Sequence, residues 1–180
     1  MDTSATHRVR ARLISGSIER TEAEQVPYSV DIAAAPNPDI DTPERGPVLQ
    51  LRVTQWPDNP EREREILKSF VPHAEALRRA ILAAQQGRAS DFLYPEDAPN
   101  WGVRVEGEEG EVRIRRLDPS SRLPADDAFA LDNAAIPELQ ERLQAARFEL
   151  KEAQREFFSE GSPEAGDGEP VSDDFLKDDR

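Results

Sequence analysis

The chain has 180 residues, 37% of them hydrophobic and 33% charged, with 15 prolines and a formal net charge of −14. That length suits one ordinary domain plus some unpacked chain, and the apolar fraction is low for a sequence folded from end to end. The absence of cysteine excludes disulfides, thiolate nucleophiles and zinc–thiolate sites together, and the negative field repels nucleic acid and anionic membranes unless positive charge is gathered locally.

The N-terminal "MDTSATHRVRAR" lacks the apolar core of a signal peptide, and no stretch approaches the ~20 apolar residues a membrane-spanning helix needs. A cytoplasmic protein without membrane contact is therefore expected. From His7 to Ile18 the chain alternates, with Val9, Ala11 and Leu13 on one side and Arg8, Arg10 and Arg12 on the other, which predicts a half-buried strand. Tyr28, Val30 and Ile32 repeat the pattern, as do Leu49, Leu51 and Val53. Four prolines and a glycine make Pro36 to Pro47 a loop.

After Asn59, a candidate N-cap followed by Pro60 and Glu61, the period changes. Leu67, Phe70, Ala74, Leu77 and Ile81 step by three and four, predicting a helix that Pro72 kinks or splits and Gly87 ends. Arg88 to Asn100 reads as a loop with Phe92, Leu93 and Tyr94 tucked beneath it. The segment from Val103 to Leu117 then predicts a β-hairpin turning at "GEEG", with Val105 opposite Val112, Val103 opposite Ile114, and Arg104 facing Arg113.

A polar connection leads to the clearest periodicity. Ile136, Leu139, Leu143, Ala146, Leu150, Ala153 and Phe157 form a heptad seam, with Pro137 and Glu138 suiting a helix start. Arg142 and Arg147 would meet in a parallel self-dimer, so an antiparallel pair or docking on the protein's own sheet is favoured over a parallel homo-oligomer. From Ser159 onward acids predominate among glycine, serine and proline, a composition expected to stay disordered. No segment repeats.

The expected architecture is α+β: an antiparallel sheet of about five strands in the order β-β-β-α-β-β-α, packed by two helices. Residues 1–134 would form the domain, 135–158 the heptad helix and 159–180 an acidic tail.

Strand arginines outnumber strand carboxylates in this scheme. Arg8, Arg10, Arg12, Arg52, Arg104, Arg113, Arg115 and Arg116 stand against Asp31, Glu106 and Glu111. Arg8, Arg10, Arg12, Arg52, Arg104, Arg113 and Arg115 are thus candidate contacts for an anion or single-stranded nucleic acid, with the tail as competitor. Stacking aromatics are not interleaved with them, however, and arginine stems that cover a sheet while pairing with the chain's own carboxylates account for the same pattern.

Candidate partner-docking residues are Phe148, opposite the seam, and Phe175 and Leu176 within "DDFLKDD". His7 and His73 lack metal-ligand spacing, and Asp39, Asp41 and Glu44 lack the glycine and spacing of a dedicated calcium loop, so no metal is expected. No nucleophile elbow, Walker lysine loop or dinucleotide glycine motif occurs. With no catalytic constellation and no cofactor implied, the expectation is a small non-enzymatic protein that contacts a protein partner through its heptad helix and tail; nucleic-acid binding on the arginine face is the alternative.

Overall fold

The computed structural model describes residues 8–15, 18–19, 26–108, 110–131 and 133–160. His7 and the tail beyond Glu160, with Phe175 and Leu176, lie outside the described residues.

The strands are β1 (Arg8–Ser15), β2 (Ile18–Glu19), β3 (Tyr28–Ala35), β4 (Val48–Gln55), β5 (Arg64–Val71), β6 (Ala89–Tyr94), β7 (Trp101–Glu108), β8 (Glu111–Leu117) and β9 (Pro124–Leu131). The helices are α1 (Ala74–Gln85) and α2 (Ile136–Glu160). All strand pairs are antiparallel, in the order β5-β4-β3-β1-β9-β8-β7-β6, with β2 paired to the end of β1 off this path. The five-strand expectation is thereby corrected to an eight-strand sheet that forms most of the molecule.

Three strands account for the difference. β5 lies where the first half of a kinked helix was expected. Leu67 and Phe70 do stand at helical spacing, but Leu67, Ser69 and Val71 also alternate, and all three are buried. A bulge opposite Val53 and Thr54 absorbs the extra residue Ile66, and Phe70, on the other side of the strand from Leu67, is buried with Val48, Tyr94 and Trp101, so a period-two strand hides behind a period-three spacing. Pro72, which has no N–H to donate, separates β5 from α1. Asn59 caps no helix; its side chain accepts from the Glu61 N–H and its carbonyl from Arg62 and Glu63, shaping the β4–β5 turn.

β6 occupies the expected loop after Gly87, and β9 the expected polar connection. β9 escapes notice because Ala128 and Ala130 are poor strand formers that are placed there by what they pack beneath, not by propensity.

The β7–β8 hairpin turns more tightly than expected. Glu108 pairs with Glu111 and Val105 with Ile114, leaving the two-residue connection 109–110, with Gly110 at φ +79°. The register differs by two residues from the expected one, so every side chain keeps its face. Glu106 now stands opposite Arg113, an attractive pair, while Arg104 still faces an arginine, Arg115.

The chain runs through four strands and a helix twice: β1, β3, β4, β5 and α1, then β6, β7, β8, β9 and α2. β1 joins the two meanders as a corner, pairing with β3 through Arg8–Ala11 and with β9 through Arg12–Ile14. The helices are exchanged. α1 lies mainly on β6, β7 and β8, and α2 on β1, β3 and β4. Val30, Ile32 and Leu51 of one meander meet Val105, Val112 and Ile114 of the other around Leu77, Ile81 and Leu139. Elsewhere Phe70 of β5 stacks edge-on against Trp101 of β7 at 5.1 Å, and Arg116 of β8 donates to the Ile66 carbonyl.

α1 buries Ala74, Leu77, Ala80, Ile81 and Ala84, and ends where Gly87, at φ +81°, donates back to the Ala84 carbonyl. α2 buries its seam residues Ile136, Leu139, Leu143, Ala146 and Leu150. Each large side chain there contributes on the order of 1.5–3 kcal/mol. The seam up to Leu150 is thus core.

Candidate functional site: an arginine-lined face and an aromatic helix end

Strand register places the arginines on the flank opposite the helices. Arg8, Asp31, Arg52 and Lys68 are successive cross-strand neighbours; Arg10 continues through Ser29 and Thr54. Across the corner, Arg12, Ala130, Arg113 and Glu106 form one row, and Ala128, Arg115, Arg104 and Asp91 the next. Arg8 is placed by backbone register alone, its side chain lying outside what is described.

Carboxylates from the strands themselves interleave with these cations. Asp31, buried on β3, accepts from the Thr54 hydroxyl at 3.0 Å and the Ser29 hydroxyl at 3.3 Å, with an Arg52 nitrogen at 3.4 Å. Glu65 lies between Arg52 at 4.0 Å and Lys68 at 3.7 Å. On the other meander Arg12 and Arg113 both bond Glu111, Arg113 also bonds Glu108 at 2.9 Å, and Arg115 bonds Glu106. Arg115 reaches the Ala125 and Asp126 carbonyls as well. Arg104 grips Asp91 with two parallel bonds of 2.6 and 3.0 Å, and that carboxylate raises the guanidinium pKa above its ordinary value.

The sequence undercounted the acids because Glu65 and Asp91 ride on β5 and β6, the two segments read as helix and loop, and because Glu108 was assigned to the hairpin turn. Among described side chains, Arg10, Arg12, Arg52, Lys68, Arg104, Arg113 and Arg115 face Asp31, Glu65, Asp91, Glu106, Glu108 and Glu111. The flank is nearly neutral. Arg10 is exposed and has no ion-pair partner among the described residues.

The second feature is the last stretch of α2. Phe148 is 62% exposed on the side away from the buried seam. Beyond Leu150 the seam leaves the core: Phe157 is 37% and Phe158 54% exposed, their rings edge-to-face at 5.2 Å. They lie over Gly46, where an added Cβ would come within 2.9 Å of Phe157 and 3.1 Å of Phe158. Gln154 bonds the Pro47 carbonyl beside them. Spacing alone gave Phe157 to the seam and passed over Phe158; the signal that helix and core diverge was the thinning of the stripe after Leu150 to Ala153.

The loop from Pro36 to Pro47 is set by Asp39, which accepts from the Thr42 hydroxyl and the Asp41 N–H, and by Asn37, which accepts from the Tyr94 phenol at 2.8 Å. Burial is the main cause of the raised Tyr94 pKa. Among the described residues no group of three or more His, Cys, Asp or Glu is arranged to hold a metal, and no helix is long and apolar enough to cross a membrane. No known protein family matches the chain, and neither a curated protein nor a solved structure matches it.

Proposed function

We propose that this is a partner-binding protein whose contact surface is the end of α2 together with the acidic segment that follows it. The observation that carries the reading is the adjacent Phe157 and Phe158, both left partly in solvent on a helix whose earlier turns are locked into the core. Aromatic side chains are the usual anchors of protein contacts, and leaving two of them in water at one spot costs solubility unless something covers them. The contact surface differs from the one the heptad spacing suggested, since Ile136 through Leu150 are occupied by the sheet.

The test is affinity capture with the intact chain, its Phe157→Ser/Phe158→Ser form and its Phe175→Ala/Leu176→Ala form, each checked for an unchanged melting temperature. Partners enriched by the intact chain and lost with the first variant support the reading. Identical partner sets for all three sink it.

Nucleic-acid binding by the arginine flank draws support from the shared face of those residues. The interleaved carboxylates and the net charge of −14 weigh against it.

A further inference from the structure

Resting on the contact surface proposed above, we infer that its occupant is a cationic segment of another protein, one that sets an apolar side chain on Phe157 and Phe158 with lysine or arginine on either side. Four observations converge on this chemistry.

The last turn of α2 contains no basic residue, so the negative pole formed by its terminal carbonyls is not offset within the helix. Glu156 is exposed there, and Glu152 one turn earlier is paired with Arg155 at 3.1 Å, which leaves exposed Lys151 as the other cation of that stretch. The loop that supports the two rings through Gly46 exposes Asp41 and Glu44 as well as Arg45. The sequence from 161 to 180 adds seven acids against Lys177 and Arg180.

An exposed aromatic pair next to Glu156 and followed by an acid-rich segment attracts a guanidinium or ammonium through both the ring quadrupole and the net negative charge of that stretch. A second copy of this chain would bring the same excess of negative charge to the same place, and like charges within a Debye length of about 8 Å oppose that pairing. A basic partner turns the repulsion into attraction and fills the apolar spot at the same time.

The experiment titrates the full-length chain by calorimetry with two synthetic 14-residue peptides of identical leucine spacing. One carries lysine at every polar position, the other glutamate. The expected result is binding of the lysine peptide that weakens as salt is raised and falls at least about tenfold in Phe157→Ser/Phe158→Ser, with no binding of the glutamate peptide. Phe158→Ser alone, at the more exposed ring, guards against a folding effect and should show most of the loss.

Lysine-peptide binding that ignores both substitutions would mean capture by diffuse charge and would overturn the inference. Phenylalanine-dependent binding of the glutamate peptide would overturn it while leaving the contact surface standing. A dimer in sedimentation that the double substitution abolishes would assign the face to a second copy and likewise overturn it. Binding of neither peptide overturns it too, and if partner capture is also indifferent to the double substitution, the contact surface falls with it.

Discussion

Arg12 on β1 reaches over β9 to bond Glu111 on β8, and the residue it must cross is Ala130, its own cross-strand neighbour. The bond exists because β9 presents only a methyl group there. Ala130 is 1% exposed although it faces away from the helices, so what covers it is the flank's own side chains.

A larger residue at 130 should therefore undo the crossing. Ala130→Leu is expected to lower stability by about 1–3 kcal/mol, the usual range for overfilling a packed site. Glu111→Gln should cost a similar amount, since Arg113, with 8% of its side chain exposed, loses one of the carboxylates that hold it. Urea unfolding of each variant, and of the pair together, checks this. Strict additivity would show that residues 130 and 111 are not linked through Arg12.

Gly107 on β7 makes a sharper case. A Cβ at this position would fall 1.5 Å from the Ala84 carbonyl oxygen at the end of α1, a backbone atom that cannot step aside. Gly107→Ala should destabilise by at least about 3 kcal/mol. Gly110, by contrast, has open space but φ +79°, so Gly110→Ala should cost only about 1–2 kcal/mol of backbone strain. Thermal melting of the two variants separates contact from conformation, and the reverse order would disprove the close approach of α1 to β7.

Glu75 and Arg78, one turn apart on α1, set a pH dependence. The Arg78 hydrogen bond, aided by the charges of Arg78, Arg79 and Arg147 and opposed by partial desolvation, lowers the Glu75 pKa from 4.5 to about 2. A depressed carboxylate stabilises the fold fully above the unfolded pKa, and the contribution fades as pH falls from 4.5 toward 2. Glu75→Gln should flatten the acid limb of the melting-temperature profile in that window alone. Carboxyl-carbon NMR should place the Glu75 midpoint well below those of other exposed glutamates; a midpoint near 4.5 would mean the ion pair is not populated.

What the sequence could reveal depended on whether one period dominated a segment. β1, β3, β4 and the β7–β8 pair alternate cleanly because one side is core and the other polar, and the α2 seam stands out because five of its positions are buried. β5 was masked because Phe70, on the side opposite Leu67, is also buried, which leaves apolar residues at helical spacing, and β9 by alanines chosen to fit beneath arginines. Both depend on neighbours far along the chain, which a local window does not contain. The candidate site followed the same rule. Placing the arginines on one flank needed only alternation, whereas the acids beside Arg52, Lys68 and Arg104 include Glu65 and Asp91, carried by strands that alternation did not reveal.

The neutral flank leads to a test of the two functional readings by unmasking. With cations and carboxylates interleaved, the intact chain should elute from heparin at low salt, because an anion must displace an internal carboxylate before it can be held. Replacing Glu106, Glu108 and Glu111 with glutamine takes these three carboxylates away from Arg12, Arg113 and Arg115 and raises the net charge by three. Retention should then rise and decline steeply with salt, and adding Arg12→Gln should reverse part of the gain. Strong retention of the unaltered chain, lost on Arg10→Gln, would instead favour the nucleic-acid reading, because Arg10 is exposed, has no ion-pair partner among the described residues and could act without unmasking.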